Sequence, residues 1–382
     1  MRSAKNMFVL LLVLLNFFLS SLGFAASSDD IRIGSVVDQS GVQSDVSRDY
    51  LAGARTYFDQ INSTGGINGR KINLIVKDDE GVTANTIRLT RELIDTNRVD
   101  ALFGYVGDDG VDAVSKDPVF KAAKITLYAP LSGASVGRLP DHVFFLRPTY
   151  RDEVSHILQH FSLLGNKSFV IINSLDSFGD ATATVLTDQL KARQLKAAGK
   201  FSLSMRLDNV ENVAREVLKL KPQVVVVAAD TIAMAEFLKK FRALDRGTNV
   251  VGFSTVNHRT LIEIAKPEFA AGTMLTQVVP HPQSNDTRVQ SEHRAMMKKF
   301  RDEPPSHLTF EGFLAAKGLV RALERAQERT GRVVNRITIA AALAGTKQFD
   351  LDGITLSFTP DNDRGSKFVD LAYLRKSGTL VQ

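Results

Sequence analysis

Apolar positions along the chain alternate between two periods. Ile31–Val37, "IRIGSVV", is a short apolar run of strand length. Tyr50, Leu51, Ala54, Tyr57, Phe58 and Ile61 then recur at i, i+3/i+4, i+7 spacing, which predicts a helix with one buried face. "TGGINGRK" closes it: Gly65 or Gly66 suits a left-handed helix cap, and Asn68-Gly69 suits a tight turn. "KINLIVKDDE" predicts a second strand, Ile87 and Ile94 mark a second helix, and Ala101–Phe103 is a third strand. A helix from about Asp109 to Ala123 is expected before a strand in "ITLYA".

A second series begins near Tyr150. "SFVIINS" reads as a strand, Phe178–Arg193 as a helix, "QVVVVAAD" as a buried strand, "TIAMAEFLKKFRAL" as a helix and "NVVGFS" as a strand. Two helices follow, Asp286–Arg301 and Leu308–Arg329, the latter with Phe313, Ala316, Val320 and Leu323 on one face. The chain ends on two short strands, "GITLSF" and "KFVDLAYLR". Strands alternating with helices predict parallel sheets of βαβ units, an α/β fold. Such sheets take ligands beyond the carboxyl ends of their strands. Four stretches lie at such ends: "LFGYVGDDG", "YAPLSGAS", "VVAADT" and "VGFSTVN".

Composition narrows the function classes. At 44% hydrophobic and 24% charged the chain is globular, and 382 residues allow two domains. The net charge of +6 is scattered, with no stripe suited to nucleic acid. There is no cysteine, so no disulfide and no thiolate chemistry. The first residues combine Arg2 and Lys5, an apolar run from Met7 to Leu19, and the small-residue pattern Gly23-Phe24-Ala25. This predicts a secretory leader, residues 1–25, cleaved after Ala25. Loss of Arg2 and Lys5 leaves a charge of 6 − 2 = +4. No other segment is long and apolar enough to span a bilayer, so an exported, soluble, periplasmic protein is expected.

Several stretches resemble one family. "IRIGSVVDQSG", "YLAGARTYFDQINSTGGINGRKINLIVKDDEG", "APLSGAS", "FLRPTYRDE", "TQVVPHP" and "TFEGFLAAKGLVRAL" are, in this order, similar to the branched-chain amino-acid-binding proteins, the type I periplasmic solute-binding proteins of ABC importers. The resemblance implies two Rossmann-like lobes joined by a three-crossing hinge that close on a small solute. It also implies delivery to an inner-membrane ABC permease, without catalysis or cofactor. The crossings fall near Thr149, Val278 and Thr359. Lobe one is then residues 31–149 plus 279–358, and lobe two is residues 150–278 plus 359–382. A monomer is expected.

The resemblance also carries over site positions. In amino-acid-binding members one lobe reads the α-carboxylate with a serine, a backbone group and a threonine. Here these fall on Asp108, Leu131 and Gly133, with Tyr105 and Ser132 in the same two loops. The ammonium-pairing glutamate falls on Ser254, and aromatic positions fall on Val46, on Phe178, and on Asp230 or Thr231. These departures matter. Two carboxylates ~4 Å apart at an effective dielectric of ~20 repel by roughly 4 kcal/mol, and Ser254 has no charge for an ammonium. The scaffold is present without its zwitterion chemistry.

Each candidate also has a structural reading. Asp108 and Asp109 suit the capping of a helix as well as solute contact. Ser132, Gly133 and Ser135 make a tight turn or a solute loop. Tyr150 packs the hinge or faces solute, and Phe178 is a core contact or a cleft wall. Arg147 suits a structural ion pair better than an acidic solute. His156 and His160 have zinc-like i, i+4 spacing but lack the metalloprotease glutamate, and no metal site is expected. Two classes remain: an importer's binding protein for an amino-acid-like solute, an amide, an aromatic acid or a cation attracted to Asp108, and a sensory binding protein that presents its solute state to a membrane kinase or another regulator. An exported hydrolase lacks a nucleophile elbow or an ordered triad.

Overall fold

The computed structural model describes residues 30–134, 142–330, 335–345, 348–359 and 362–382. The expected leader and Ser135 lie outside these residues. The first sheet joins β1 (Ile31–Val37), β2 (Ile72–Asp78), β3 (Ala101–Phe103), β4 (Leu127–Tyr128) and β5 (Val143–Phe144) in the order β2-β1-β3-β4-β5, all parallel. Ile31 pairs with Ile72, and Ile33 with both Leu74 and Ala101. β1 is buried along most of its length because helices cover both faces, which is why it reads as a continuous apolar run. These helices include α1 (Ser44–Ser63) and α2 (Thr83–Asp95). Gly65 and Gly66 follow α1 with φ of 103° and 77°, and the Asn68-Gly69 turn has φ of 50° and 83°.

The helix expected over 109–123 is two helices, α3 (Asp108–Lys116) and α4 (Pro118–Ala123). Pro118 forces the break: it drives Asp117 to φ −64°, ψ 129°, and Asp117 then caps α4 through the Val119 and Phe120 N–H groups at 2.9 and 3.1 Å.

The second sheet follows the order β14-β13-β10-β9-β8-β6-β7. Its parallel part is β6 (Ser168–Ser174), β7 (Lys196–Leu203), β8 (Val224–Ala228), β9 (Asn249–Gly252) and β10 (Thr273–Gln277). The helices between are α5 (Tyr150–Leu163), α6 (Ser177–Ala192), α7 (Val210–Lys219), α8 (Thr231–Arg242), α9 (His258–Ala265) and the short α10 (Pro267–Ala270). Sequence periodicity misses β7 because it is a half-exposed edge strand with two lysines.

After β10 the chain returns to the first sheet. There α11 (Arg288–Phe300), α12 (His307–Thr330), α13 (Arg336–Ala344), and the hairpin of β11 (Phe349–Asp350) and β12 (Thr355–Leu356) share one core with β1 and α1. It then goes back to complete the second sheet with antiparallel β13 (Asp370–Leu374) and β14 (Leu380–Val381). Two α/β lobes joined by three crossings result.

Buried charge pins the crossings. Arg147 is fully buried and paired twice with Glu311 of α12, Nε to Oε1 at 2.8 Å and Nη2 to Oε2 at 2.9 Å. Arg364 lies 4.1 Å over the Phe145 ring and donates to the carbonyls of Ser132, Arg147, Pro148 and Ala134. One arginine thus ties the third crossing to the first.

Candidate functional site

The lobes face each other across a cavity of about 440 Å3, within the range of small-molecule sites. The first lobe contributes the ends of β1, β2 and β3 and the start of α3; the second contributes the ends of β6, β7 and β8 and the starts of α6 and α8. This is the carboxyl edge of both sheets. A narrow throat continues the cavity inward, lined by Val46, Leu131, Tyr150, Phe178, Thr231 and Thr255 among others.

Asp108 sits where cavity and throat meet. Gly107, with φ 103°, is the N-cap of α3, so Asp108 is its first helical residue, and neither Asp108 nor Asp109 makes a side-chain cap. The capping expectation is therefore corrected: the Asp108 side chain turns across the cleft floor instead. Ser132 Oγ donates to Asp108 Oδ1 at 2.5 Å, and the Tyr150 hydroxyl donates to the same oxygen at 3.3 Å. Among the described residues no donor reaches Oδ2. Burial pushes this carboxyl up to about 6, with the Ser132 and Tyr150 hydroxyls pulling the other way.

Gly133 is explained by Tyr150. A Cβ on Gly133 would lie 2.6–2.7 Å from Tyr150 ring carbons, so the ring stands where a threonine side chain would need to be. The Gly133 carbonyl accepts the Tyr150 N–H at 2.8 Å. Tyr150 and Phe178 meet edge to face at 4.7 Å, and both contact Phe253. Phe178 is half-buried and forms part of the cavity wall.

Other expected contacts are redirected. Tyr105 is fully buried between β3 and α2, its hydroxyl 2.9 Å from Thr90 Oγ1, and does not reach the cleft. The Leu131 N–H, expected to face solute, is spent on the Tyr105 carbonyl at 2.7 Å. Ser132 is buried beneath the throat, its hydroxyl spent on Asp108. Ser254 is buried as well; its amide and hydroxyl hold the carboxylate of Glu153 at 3.1 and 3.0 Å, and Thr276 completes that cradle. Glu153 is raised by this burial, with Arg147 and the three donors opposing it. The neighbouring Thr255 lines the throat in place of Ser254. Asp230 and Thr231 do reach the cleft: Asp230 Oδ1 caps α8 through the Ile232 and Ala233 N–H groups at 2.8 and 2.9 Å. His156 faces Asp370 at 3.9 Å, and among the described residues no group of three metal-ligating side chains forms.

The lining has one sign of charge. Asp38, Asp79, Asp108 and Asp109 from the first lobe face Asp176 and Asp230 from the second, and no lysine, arginine or histidine is among the described lining residues. Sequence reading overlooked Asp38, Asp79 and Asp176, because each has a local task. Asp38 accepts the Gly41 and Gln43 N–H groups at 2.5 and 2.9 Å. Asp79 accepts the Thr86 hydroxyl at 2.7 Å, and Asp176 caps α6 through the Gly179 N–H at 2.7 Å. Burial raises Asp79 and Asp230, their hydrogen bonds opposing it; like charges, Asp38 beside the first and Asp176 beside the second, add to the rise.

Away from the cavity a polar clasp spans the lobes. Asp49 of α1 has a fully buried side chain, paired with Arg259 and accepting from Asn257 Nδ2 at 3.1 Å, both from the second lobe.

A model of the periplasmic binding protein family matches residues 30–379, and the chain belongs to that family. It is similar in structure to a substrate-binding periplasmic protein from Ralstonia solanacearum, with 28% identity, 92% of this chain and 100% of that one covered, and a TM-score of 0.85. It also resembles a branched-chain amino acid ABC transporter protein from Thermus thermophilus with bound valine, at 20% identity, 93% and 95% coverage and a TM-score of 0.82. An amino acid binding protein of Pseudomonas aeruginosa is 24% identical over 172 residues, 44% of this chain and 45% of that protein. This chain's match thus spans about half of that relative's length. The matched family is one of periplasmic binding proteins, and the Ralstonia neighbour is a substrate-binding member of the periplasm.

Proposed function

We propose that this chain is the periplasmic solute-binding component of an ABC importer, exported through a leader cleaved after Ala25 and acting as a monomer. The supporting observation is the cavity of about 440 Å3 built by both lobes at the carboxyl edges of their sheets. A solute there touches both lobes at once. It stabilises the closed arrangement by its extra contacts with that state, and a permease can read the closure. The hinge lies near Thr149, Val278 and Thr359. There Arg147 pairs with Glu311, and Arg364 donates to the Arg147 carbonyl, which ties the third crossing to the first. Solute is held and released unchanged.

Native mass spectrometry of gently purified residues 26–382 tests this. A monomer with one small molecule bound, displaced on partial unfolding, is the expected result. A protein that neither carries nor takes up any small molecule contradicts the proposal.

A further inference from the structure

The cleft's own chemistry selects among solutes. A carboxylate-bearing solute needs donors or a cation; no cation is among the described lining residues, and the three groups that the resemblance assigns to a carboxylate are not free for one. The Leu131 N–H is spent on Tyr105, the Ser132 hydroxyl on Asp108, and the Tyr150 ring covers Gly133. Asp108 has the opposite character. Both of its hydroxyl donors share Oδ1, Oδ2 has no donor among the described residues, and the residue lines both cavity and throat. The aromatic wall beside it, Phe178 against Tyr150, presents π-density of the kind that attracts a cation. Further out the lining turns apolar: Val42, Leu175, Met205 and Ile232 border the cavity and are 58%, 51%, 88% and 36% exposed. Oily side chains over an acidic floor describe a ligand with an apolar body and a positive head.

We propose that the solute is an organic cation without a carboxylate, its head between Asp108 and Phe178 and its apolar part along Val42, Leu175, Met205 and Ile232. This rests on the reading of the cleft as the solute site and names the class of solute. Closure follows from the same charges. Carboxylates from the two lobes repel across an empty cleft, and a cation between them turns that repulsion into attraction. Attraction of this kind is screened by salt.

The test is calorimetric titration of residues 26–382 with matched probes: phenethylamine, its neutral counterpart 3-phenylpropionamide, its anionic counterpart 3-phenylpropionate, and also choline, putrescine and leucine. At least one amine or ammonium probe is expected to bind at least tenfold tighter than the amide, the acid and leucine, and more weakly at 0.5 M salt. Asp108→Asn is expected to weaken that probe roughly 10- to 100-fold, the loss of one charge-assisted contact. Asp109 is exposed and makes no cap, so Asp109→Asn keeps the fold and is expected to weaken the probe a few-fold, more at low salt. Tighter binding of the amide, the acid or leucine overturns the cationic class and leaves the solute-binding reading standing. Amine binding that Asp108→Asn does not weaken overturns the placement at Asp108, whatever Asp109→Asn does. Binding of no probe overturns this inference, and the small molecule sought by mass spectrometry then decides the broader reading.

Discussion

Asp108→Asn separates the tasks of stability and recognition. The Asp108 carboxyl is raised from 3.8 to about 6, mainly by burial. An acid whose folded pKa exceeds its unfolded value binds more protons when folded, so its contribution to stability falls as pH rises from about 4 to about 6. Two units correspond to ~3 kcal/mol, and partial exposure to the cavity reduces this to about 1–3 kcal/mol. Asparagine has nearly the same shape and keeps an oxygen for the Ser132 and Tyr150 hydroxyls, yet carries no charge. The loss of a favourable charge in the first turn of α3 costs ~0.3–1 kcal/mol and only partly offsets the gain. With an unfolding entropy of ~2.1 cal/mol/K per residue, the variant melts roughly 1–4 °C above the parent at pH 7.5. Near pH 4 the gap narrows. Asp79 and Asp230 are also raised, so the difference between variant and parent is the quantity that isolates Asp108. Scanning calorimetry without solute at pH 4.5, 6 and 7.5 measures it. A variant that melts lower than the parent at pH 7.5 refutes the reasoning, because the ionised Asp108 would then be stabilising the empty fold.

Three further predictions concern the scaffold. Glu311→Gln removes the hydrogen-bonded counter-charge of the fully buried Arg147, with only the more distant Glu153 left to oppose it, and is expected to cost about 3–5 kcal/mol in urea unfolding; an unchanged midpoint would mean that the pair is not needed. Gly133→Thr forces the Tyr150 ring aside and is expected to destabilise by about 1–3 kcal/mol, while equal stability to parent in the same assay would show that the ring yields freely. Arg259→Ala breaks the interlobe clasp on Asp49, and because Arg259 is 23% exposed the cost is about 2–4 kcal/mol; small-angle scattering should show a larger radius of gyration than the parent, and an identical radius removes the clasp from the account.

Most of the fold is visible in the sequence because each central strand is buried on both faces and reads as an apolar run. "VVVV" in β8 and "IRIGSVV" in β1 are such runs. β7 escapes because an edge strand needs no continuous apolar face. The break at Pro118 is foreseeable from the proline itself, which no local pattern of the flanking residues offsets. The loops that build the cleft are also legible, since they end strands. The direction of each side chain is less so. Tyr105 lies three residues before Asp108, yet the chain turns it into the core at Thr90 while Asp108 faces the cleft. Ser254 is captured by Glu153, 101 residues away, and Arg364 reaches carbonyls more than 200 residues away. No local pattern carries such pairings. The acidic character of the cleft is hidden for another reason: Asp38, Asp176 and Asp230 each look like turn or cap residues, and they are, with their charges nonetheless gathered in one cavity.

The central claim is that a solute draws the two lobes together across this cavity. The chain has no cysteine, so Val82→Cys and Arg206→Cys place a spin label on each lobe at exposed positions next to residues that line the cavity. Pulsed electron resonance then reads the interlobe distance without solute and at saturation with the tightest-binding probe. The account predicts a broad distribution that narrows and shifts to shorter distance when solute is added. An identical distribution at saturation would contradict it.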